Sequence, residues 1–208
     1  MPDPVDPIAA ADPWSRVAAY LSLSFNDEAL ATGSGILARH PTKGLFLITA
    51  LHNLSGKEPI TNRIKSRTLA VPNRVRVEAF YTDAQINLYE GSNDPHSDRP
   101  LFRTHARGSR IDVTVMPVRS GAGMSGTVEN TAVVHRSFLN DQLNSQLRLH
   151  VAQECYIMGF PEGLVSRPQS RVVMPVWKTG HIASEPYVDW LESIRADLNS
   201  RCAKTRIL

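Results

Sequence analysis

Three residues of this chain have side chains and neighbours suited to acid–base and nucleophilic chemistry: His52, Asp112 and Ser125. His52 follows the apolar run at 45–50, and a histidine at the rim of a core is held rigidly enough to act as a general base. Asp112 stands at the head of the apolar run at 111–118, where a carboxylate needs a hydrogen bond or a charged partner. Ser125 lies between Gly123 and Gly126, and glycines let a chain turn tightly around a serine nucleophile. The sequence therefore offers a candidate base, a carboxylate that needs a partner and a candidate nucleophile.

Short strands and turns must position these side chains. Small and apolar residues at 33–37 and the apolar run at 45–50, joined by residues typical of turns, predict a β-hairpin that ends just before His52. An earlier run at 16–25 partly alternates polar and apolar residues, and the turn residues at 26–28 connect it to this hairpin. The sequence thus predicts three strands before His52.

Farther along the chain the pattern is again that of strands. Charged and apolar residues alternate at 74–80, with Val75, Val77 and Ala79 on one side, and this pattern predicts a sheet with one face toward water. A shorter strand is predicted at 86–89, followed by a turn-rich loop. The fold class predicted from these elements is all-β.

Several motifs, in the same order, resemble those of the trypsin-like serine peptidases. Thr49-Ala50-Leu51-His52 resembles the histidine strand of that family, and Asp112-Val113-x-Val115-x-Pro117 resembles its aspartate strand. Gly159-Phe160-Pro161-x-Gly163 and the segment at 177–186 resemble the second barrel of bacterial members. The resemblance extends over about 14–187. It implies a serine endopeptidase in which the histidine is general base and acid and the aspartate orients the histidine ring.

The family resemblance also implies an architecture, the chymotrypsin-like double β-barrel. On that basis we expect a flexible lead at 1–12, a complete first β-barrel at 13–118 and a linker at 119–146. An incomplete second barrel is expected at 147–187, and a C-terminal helix at 188–208. The exposed strand edges of a half-built barrel would invite self-association.

The nucleophile is where this chain departs from the family pattern. The family places a Gly-x-Ser-Gly stretch after the strand that ends near 186, whereas this chain has no glycine after Gly180. Ser193 and Ser200 lack glycine neighbours, and Ser184 belongs to the preceding strand motif. Ser125 has the right neighbours but falls in the expected linker, so it is either a nucleophile folded back across the barrel interface or part of a glycine-rich turn. We expect the chain to be inactive as written.

The C-terminal sequence changes its hydrophobic period from two to nearly four. Apolar residues recur at every fourth position, and an Asp-x-x-Glu start resembles a capping box, so an amphipathic helix is predicted around Trp190, Ile194, Leu198 and Cys202. It would pack on its own domain, or bind a partner or a membrane. The abrupt change predicts that the DNA from codon 187 onward encodes a strand and Gly-x-Ser-Gly in another frame.

Composition narrows the function classes. The 208 residues include 42% hydrophobic and 21% charged residues, with 14 prolines and 12 glycines, which suits a globular, turn-rich β protein. The net charge of +3 is not concentrated in one patch, so we expect no nucleic-acid partner. Histidines lack ligand spacing and Gly33-Ser34-Gly35 lacks the lysine of a phosphate loop, so no metal or cofactor is expected.

Cysteine usage and hydropathy complete these expectations. Cys155 and Cys202 do not make a disulfide framework, and the former is expected to be a buried thiol. The sequence shows no secretory signal and no apolar run of membrane-spanning length, so we expect a cytoplasmic chain without a membrane partner.

Two functions remain open from sequence. One is a serine endopeptidase acting on polypeptides, with His52, Asp112 and a nucleophile that is either Ser125 or absent from this sequence. The other is a catalytically inactive, peptidase-like module that binds a protein partner through its exposed strand edges and C-terminal helix.

Overall fold

A computed structural model describes the chain at 12–40, 42–59, 61–79, 82–118, 124–128, 134–135, 150–169 and 172–183. The predicted lead, except for Asp12, and the predicted C-terminal helix at 188–208 lie outside the described residues, as does most of the predicted linker.

The described chain is mostly β-sheet, as the sequence predicts, with one short helix, α1 (Leu51–Ser55). The strands in chain order are β1 (Ala18–Phe25), β2 (Glu28–His40), β3 (Gly44–Thr49), β4 (Arg74–Ala79), β5 (Thr82–Asn87), β6 (Arg103–Thr104), β7 (Thr114–Val118), β8 (Met124–Val128), β9 (Val134–His135), β10 (Glu154–Gly159), β11 (Ser166–Gln169), β12 (Val172–Met174) and β13 (Val176–His181). Single 3-10 turns lie at Pro13–Arg16, Gly108–Arg110 and Pro161–Gly163.

Nine strands form one sheet, which we call the first region together with α1 and its loops. The strand order is β6-β7-β3-β2-β1-β4-β5-β8, and β9 pairs in parallel with β2. All other neighbours are antiparallel, and the sheet curls into a half-barrel. Two ribbons, β10–β13 and β11–β12, make up what we call the second region, at 150–169 and 172–183.

The turn between β1 and β2 forms where the sequence predicts it. Asn26 and Asp27 both have positive φ angles, of 46° and 74°. Two consecutive residues with positive φ match the right-handed twist of paired strands, and asparagine and aspartate tolerate this conformation better than most residues. The predicted connection of the run at 16–25 to the next strand through this turn is confirmed.

The core of the first region lies on the concave side of the sheet and confirms the predicted alternation in β4. Val75, Val77 and Ala79 have no exposed surface. The other face of β4 differs from the expectation, because Glu78, predicted to face water, is only 7% exposed. Arg167 of β11 lies over it and forms an ion pair with its carboxylate.

The second region packs on the outer face of β1 and β2. Ala18 and Tyr20 point away from the main core and meet Phe160 and Val173, and the Tyr20 and Phe160 rings make an edge contact at 5.4 Å. The backbone N–H of Phe160 donates to Ser34 Oγ at 2.8 Å. β1 is therefore covered on both faces.

The segment expected to be a linker at 119–146 contains two strands. β8 pairs with β5 along its whole length and forms one edge of the nine-stranded sheet, whereas β9 adds to β2. The first region thus extends beyond residue 118, the position at which the first barrel is expected to end.

Candidate functional site

His52 is held by the short helix α1, which begins where β3 ends. Leu51 and Leu54 of α1 are buried in the core, whereas His52 is half-buried. Gly56 ends the helix in the left-handed conformation, at φ 65°, and its N–H donates to the His52 carbonyl at 3.0 Å. Glycine adopts this conformation without strain, which lets the chain leave the core at once.

Asp112 reaches His52 because of the register between β3 and β7. Thr49, the last residue of β3, is paired with Thr114, the first residue of β7, so the residues just outside these two strand ends are neighbours. Asp112 Oδ2 lies 2.5 Å from His52 Nδ1. Asp112 Oδ1 accepts the backbone N–H of His52 at 2.9 Å. The structure therefore brings together the two residues that the motifs single out.

This contact determines which ring nitrogen of His52 is available. A carboxylate only accepts hydrogen bonds, so Nδ1 carries the proton and Nε2 of the neutral ring has a free lone pair. In the described part of the chain Nε2 has no hydrogen-bond partner, and the His52 side chain is 29% exposed. An oriented imidazole with a free Nε2 at the surface can accept a proton from a bound group.

His52 borders a cleft of about 200 Å³. The cleft is lined by Leu30 and Thr32 of β2 and by Lys65 and Pro72 of the loop between α1 and β4. The lining of the cleft is mainly apolar.

Ser125 lies elsewhere in the sheet. Its backbone is part of β8, where it pairs with Gln85 of β5. β8 is five strands from β3 in the sheet order, at the opposite edge from β6 and β7. Ser125 is in a regular strand, so the expectation of a glycine-rich turn is wrong for this residue, and its strand is not adjacent to the one that positions His52. Ser184, Ser193 and Ser200 lie outside the described residues.

Sequence reasoning missed a hydrogen-bonded chain behind His52. Asn53 Nδ2 donates to Thr49 Oγ1 at 2.9 Å, and the Thr49 hydroxyl donates to the Ser34 carbonyl at 2.7 Å. Gly33 lies beside the Asn53 amide. The only sequence signal was the run of small residues around Ser34, and nothing in it indicated which side chain would fill the space.

The described residues contain no group of three or more histidine, cysteine, aspartate or glutamate side chains that could hold a metal ion. No helix among them is long and apolar enough to cross a lipid bilayer.

Comparisons of this chain with protein-family models, with curated proteins and with solved structures gave no match. The geometry around His52 and the motifs of the sequence are therefore what a functional proposal can be built on.

Proposed function

We propose that this chain carries the histidine–aspartate base of a trypsin-like serine endopeptidase. The observation that supports the proposal is the double contact of Asp112 with His52, to the ring Nδ1 at 2.5 Å and to the backbone N–H at 2.9 Å. A carboxylate that accepts hydrogen bonds from both the ring and the backbone of one histidine fixes the ring's tautomer and its orientation. These are the two properties that a general base in acyl transfer needs.

In the proposed reaction His52 moves one proton twice. Nε2 removes the proton of a nucleophilic hydroxyl as its oxygen attacks a peptide carbonyl, and then gives that proton to the leaving amine. Asp112 stabilises the imidazolium that forms between the two steps and does not itself take the proton. The cleft beside His52 would hold a side chain of the polypeptide substrate.

The proposed fold is the chymotrypsin-like double barrel, with the first region as first barrel and the second region as part of the second. Ser125 lies on β8, five strands away from β3, so its strand is not adjacent to the one that positions His52. We therefore propose that this chain alone has the base but no working nucleophile.

The proposal is tested first by the tautomer of the neutral His52 ring, read from heteronuclear NMR spectra of the full chain at a pH high enough for the ring to be neutral. The expected tautomer has its proton on Nδ1, because Nδ1 faces a carboxylate. Asp112→Asn keeps the shape but lets the amide donate to Nδ1, which should move the proton to Nε2. A wild-type ring protonated on Nε2 would rule out the proposed base.

The nucleophile is tested with a serine-directed fluorophosphonate probe and a casein assay. We expect neither labelling nor hydrolysis by the wild-type chain. Labelling that is lost in both Ser125→Ala and His52→Ala would show that Ser125 is the nucleophile and that the chain is active. Labelling lost in Ser125→Ala but kept in His52→Ala would show a reactive serine that does not use the proposed base.

A second function, binding without catalysis, is favoured by the ribbon β10–β13. Among the described residues these two strands pair only with each other, and Tyr156 and Ile157 are 65% and 59% exposed. Two unpaired edges with apolar side chains between them suit pairing with a second copy. Sedimentation velocity over a concentration series tests this: self-association that Ile157→Lys removes supports it, and a monomer at all concentrations excludes it.

A further inference from the structure

We propose that Asn53 is a positioning residue for His52, an inference that rests on the proposed role of His52 as a base. Asn53 is the next residue along α1 and does not touch Asp112. Its amide instead contacts β2 and the end of β3.

The first observation is the hydrogen-bonded chain that connects α1 to the sheet. Asn53 Nδ2 donates to Thr49 Oγ1 at 2.9 Å, and Thr49, only 6% exposed, donates in turn to the Ser34 carbonyl at 2.7 Å. Thr49 and Asn53 stand on either side of His52 in sequence. The chain of hydrogen bonds therefore holds both flanks of His52 to β2.

The second observation is the fit between Asn53 and Gly33 of β2. A Cβ atom on Gly33 would lie 2.7 Å from Asn53 Nδ2 and 2.8 Å from its Cγ. All three of the nearest atoms to that Cβ belong to the Asn53 amide. Gly33 does not have a positive φ, so the backbone would accept alanine. Glycine is needed at this position for space, and the space is occupied by the Asn53 side chain.

The contact matters because α1 is a single turn of five residues. A helix of this length has no stability of its own, and its orientation is set by what its side chains touch. Leu51 and Leu54 hold the side that faces the core, and Asp112 holds the ring of His52. Without the Asn53 contact the turn could rock about its buried leucines, and the ring would then move away from Asp112.

The inference is tested by a double-mutant cycle in the full chain with Asn53→Ala, Gly33→Ala and the two combined. The readout is the exchange rate of the His52 Nδ1 proton with water, measured by NMR. Each single variant should raise this rate about tenfold, the effect of losing one hydrogen bond. The combined variant should be no worse than Asn53→Ala, because the new Cβ then fills the space that the amide leaves.

Asn73→Ala is the matched control. Asn73, which is buried whereas Asn53 is half-buried, also pairs through its side chain: it donates to Asn26 Oδ1 at 2.9 Å and accepts the Asn26 N–H at 3.1 Å. It supports the turn between β1 and β2 rather than α1. Asn73→Ala should lower the free energy of unfolding as Asn53→Ala does, yet leave the His52 proton exchange unchanged.

Thr49→Val provides a gentler variant if Asn53→Ala fails to fold, since it removes the hydroxyl and keeps the shape. It too should raise the exchange rate. Wild-type exchange in Asn53→Ala or in Thr49→Val, with stability lowered as in Asn73→Ala, would overturn the inference while leaving the proposed function intact. A wild-type ring protonated on Nε2 would instead overturn the proposed function, and this inference with it.

Discussion

The nine-stranded sheet and the β10–β13 ribbon bury their side chains to very different degrees. In the first region the core residues Leu21, Leu37 and Leu47 have no exposed surface. In the second region Tyr156 and Ile157 of one strand are both mostly exposed. A two-stranded ribbon cannot cover either of its own faces, whereas a curled sheet of nine strands covers its concave side completely.

This difference shows that the site and its support belong to the first region. His52 follows β3 and Asp112 precedes β7, and all the strands that pair with β3 and β7 belong to that sheet. The second region contributes a few contacts from outside, chiefly Phe160 under β1 and the ion pair between Arg167 and Glu78. The first region should therefore be stable without the second, and the reverse should not hold.

The largest expected effect comes from removing core volume. Leu47→Ala should lower the free energy of unfolding by about 2–5 kcal/mol, because a buried leucine leaves a cavity behind. Ile157→Ala, in the second region, should stay within about 0.5 kcal/mol, as for other exposed positions. Urea denaturation followed by circular dichroism measures both. Equal losses would mean that the second region has a core of its own.

The next largest effect is a loss of stability at alkaline pH that depends on Tyr89. This residue of the first region is only 7% exposed. Burial raises the pKa of Tyr89 from 10.0 to about 12, because the charged phenolate is poorly solvated there. The folded state thus holds this proton more tightly than the unfolded chain does. The associated stability is present in full below pH 10 and is lost as the pH rises through about 12, a change of about 3 kcal/mol at most.

Urea midpoints measured at a series of alkaline pH values check this expectation. Tyr89→Phe should remove most of the loss above pH 10. The matched control is Tyr156→Phe, which replaces a mostly exposed phenol of the second region and should leave the pH profile of the wild type. An unchanged profile in Tyr89→Phe would contradict the assignment.

A smaller effect should follow from separating the two regions at their ion pair. Arg167→Met removes one of the two guanidinium groups at the buried Glu78 carboxylate and should cost about 1–2 kcal/mol. Arg74→Met breaks the exposed pair with Asp27 inside the first region and should cost no more than about 0.5 kcal/mol. Hydrogen exchange of the β11–β12 amides should rise only in Arg167→Met. If the hydrogen exchange of these amides also rose in Arg74→Met, the Arg167–Glu78 ion pair would not be what specifically holds the second region.

The smallest effect concerns the hydrogen bond from Trp177 Nε1 to Ser15 Oγ, at 2.8 Å. Ser15→Ala should cost about 0.5–1 kcal/mol, since the half-exposed indole can donate to water instead. The indole then becomes more exposed to solvent, and the fluorescence emission of Trp177 should shift to longer wavelength. Because the chain has three tryptophans, the emission of Trp177 is obtained by subtracting the spectrum of Trp177→Phe from that of the wild type. The same subtraction is made for the two proteins that also carry Ser15→Ala.

The sequence predicted those elements whose patterns are local. The alternation around Val75 and the turn at Asn26 depend on neighbouring residues, and both are confirmed. The contact between His52 and Asp112 was predicted from motif order, and the structure shows it. These features share a short-range signal or a strong residue pattern.

The features that sequence reasoning missed are decided by distant pairing. β8 contains serine and glycine, which have weak strand preference, and it forms because β5 offers it a free edge. The burial of Glu78 depends on Arg167, and the fit of the Asn53 side chain depends on a glycine in β2. No window of sequence around any of these residues contains its partner.

The hydrogen bond from the Phe160 N–H to Ser34 Oγ joins residues that are 126 positions apart. Closing so long a loop is slow, since its entropy must be lost before the contact forms, whereas the β1–β2 hairpin closes through a two-residue turn. The first region should therefore fold early, and on a ribosome it can fold before Phe160 has emerged from the exit tunnel. Refolding should then show two phases, with the His52–Asp112 pair assembled in the faster one.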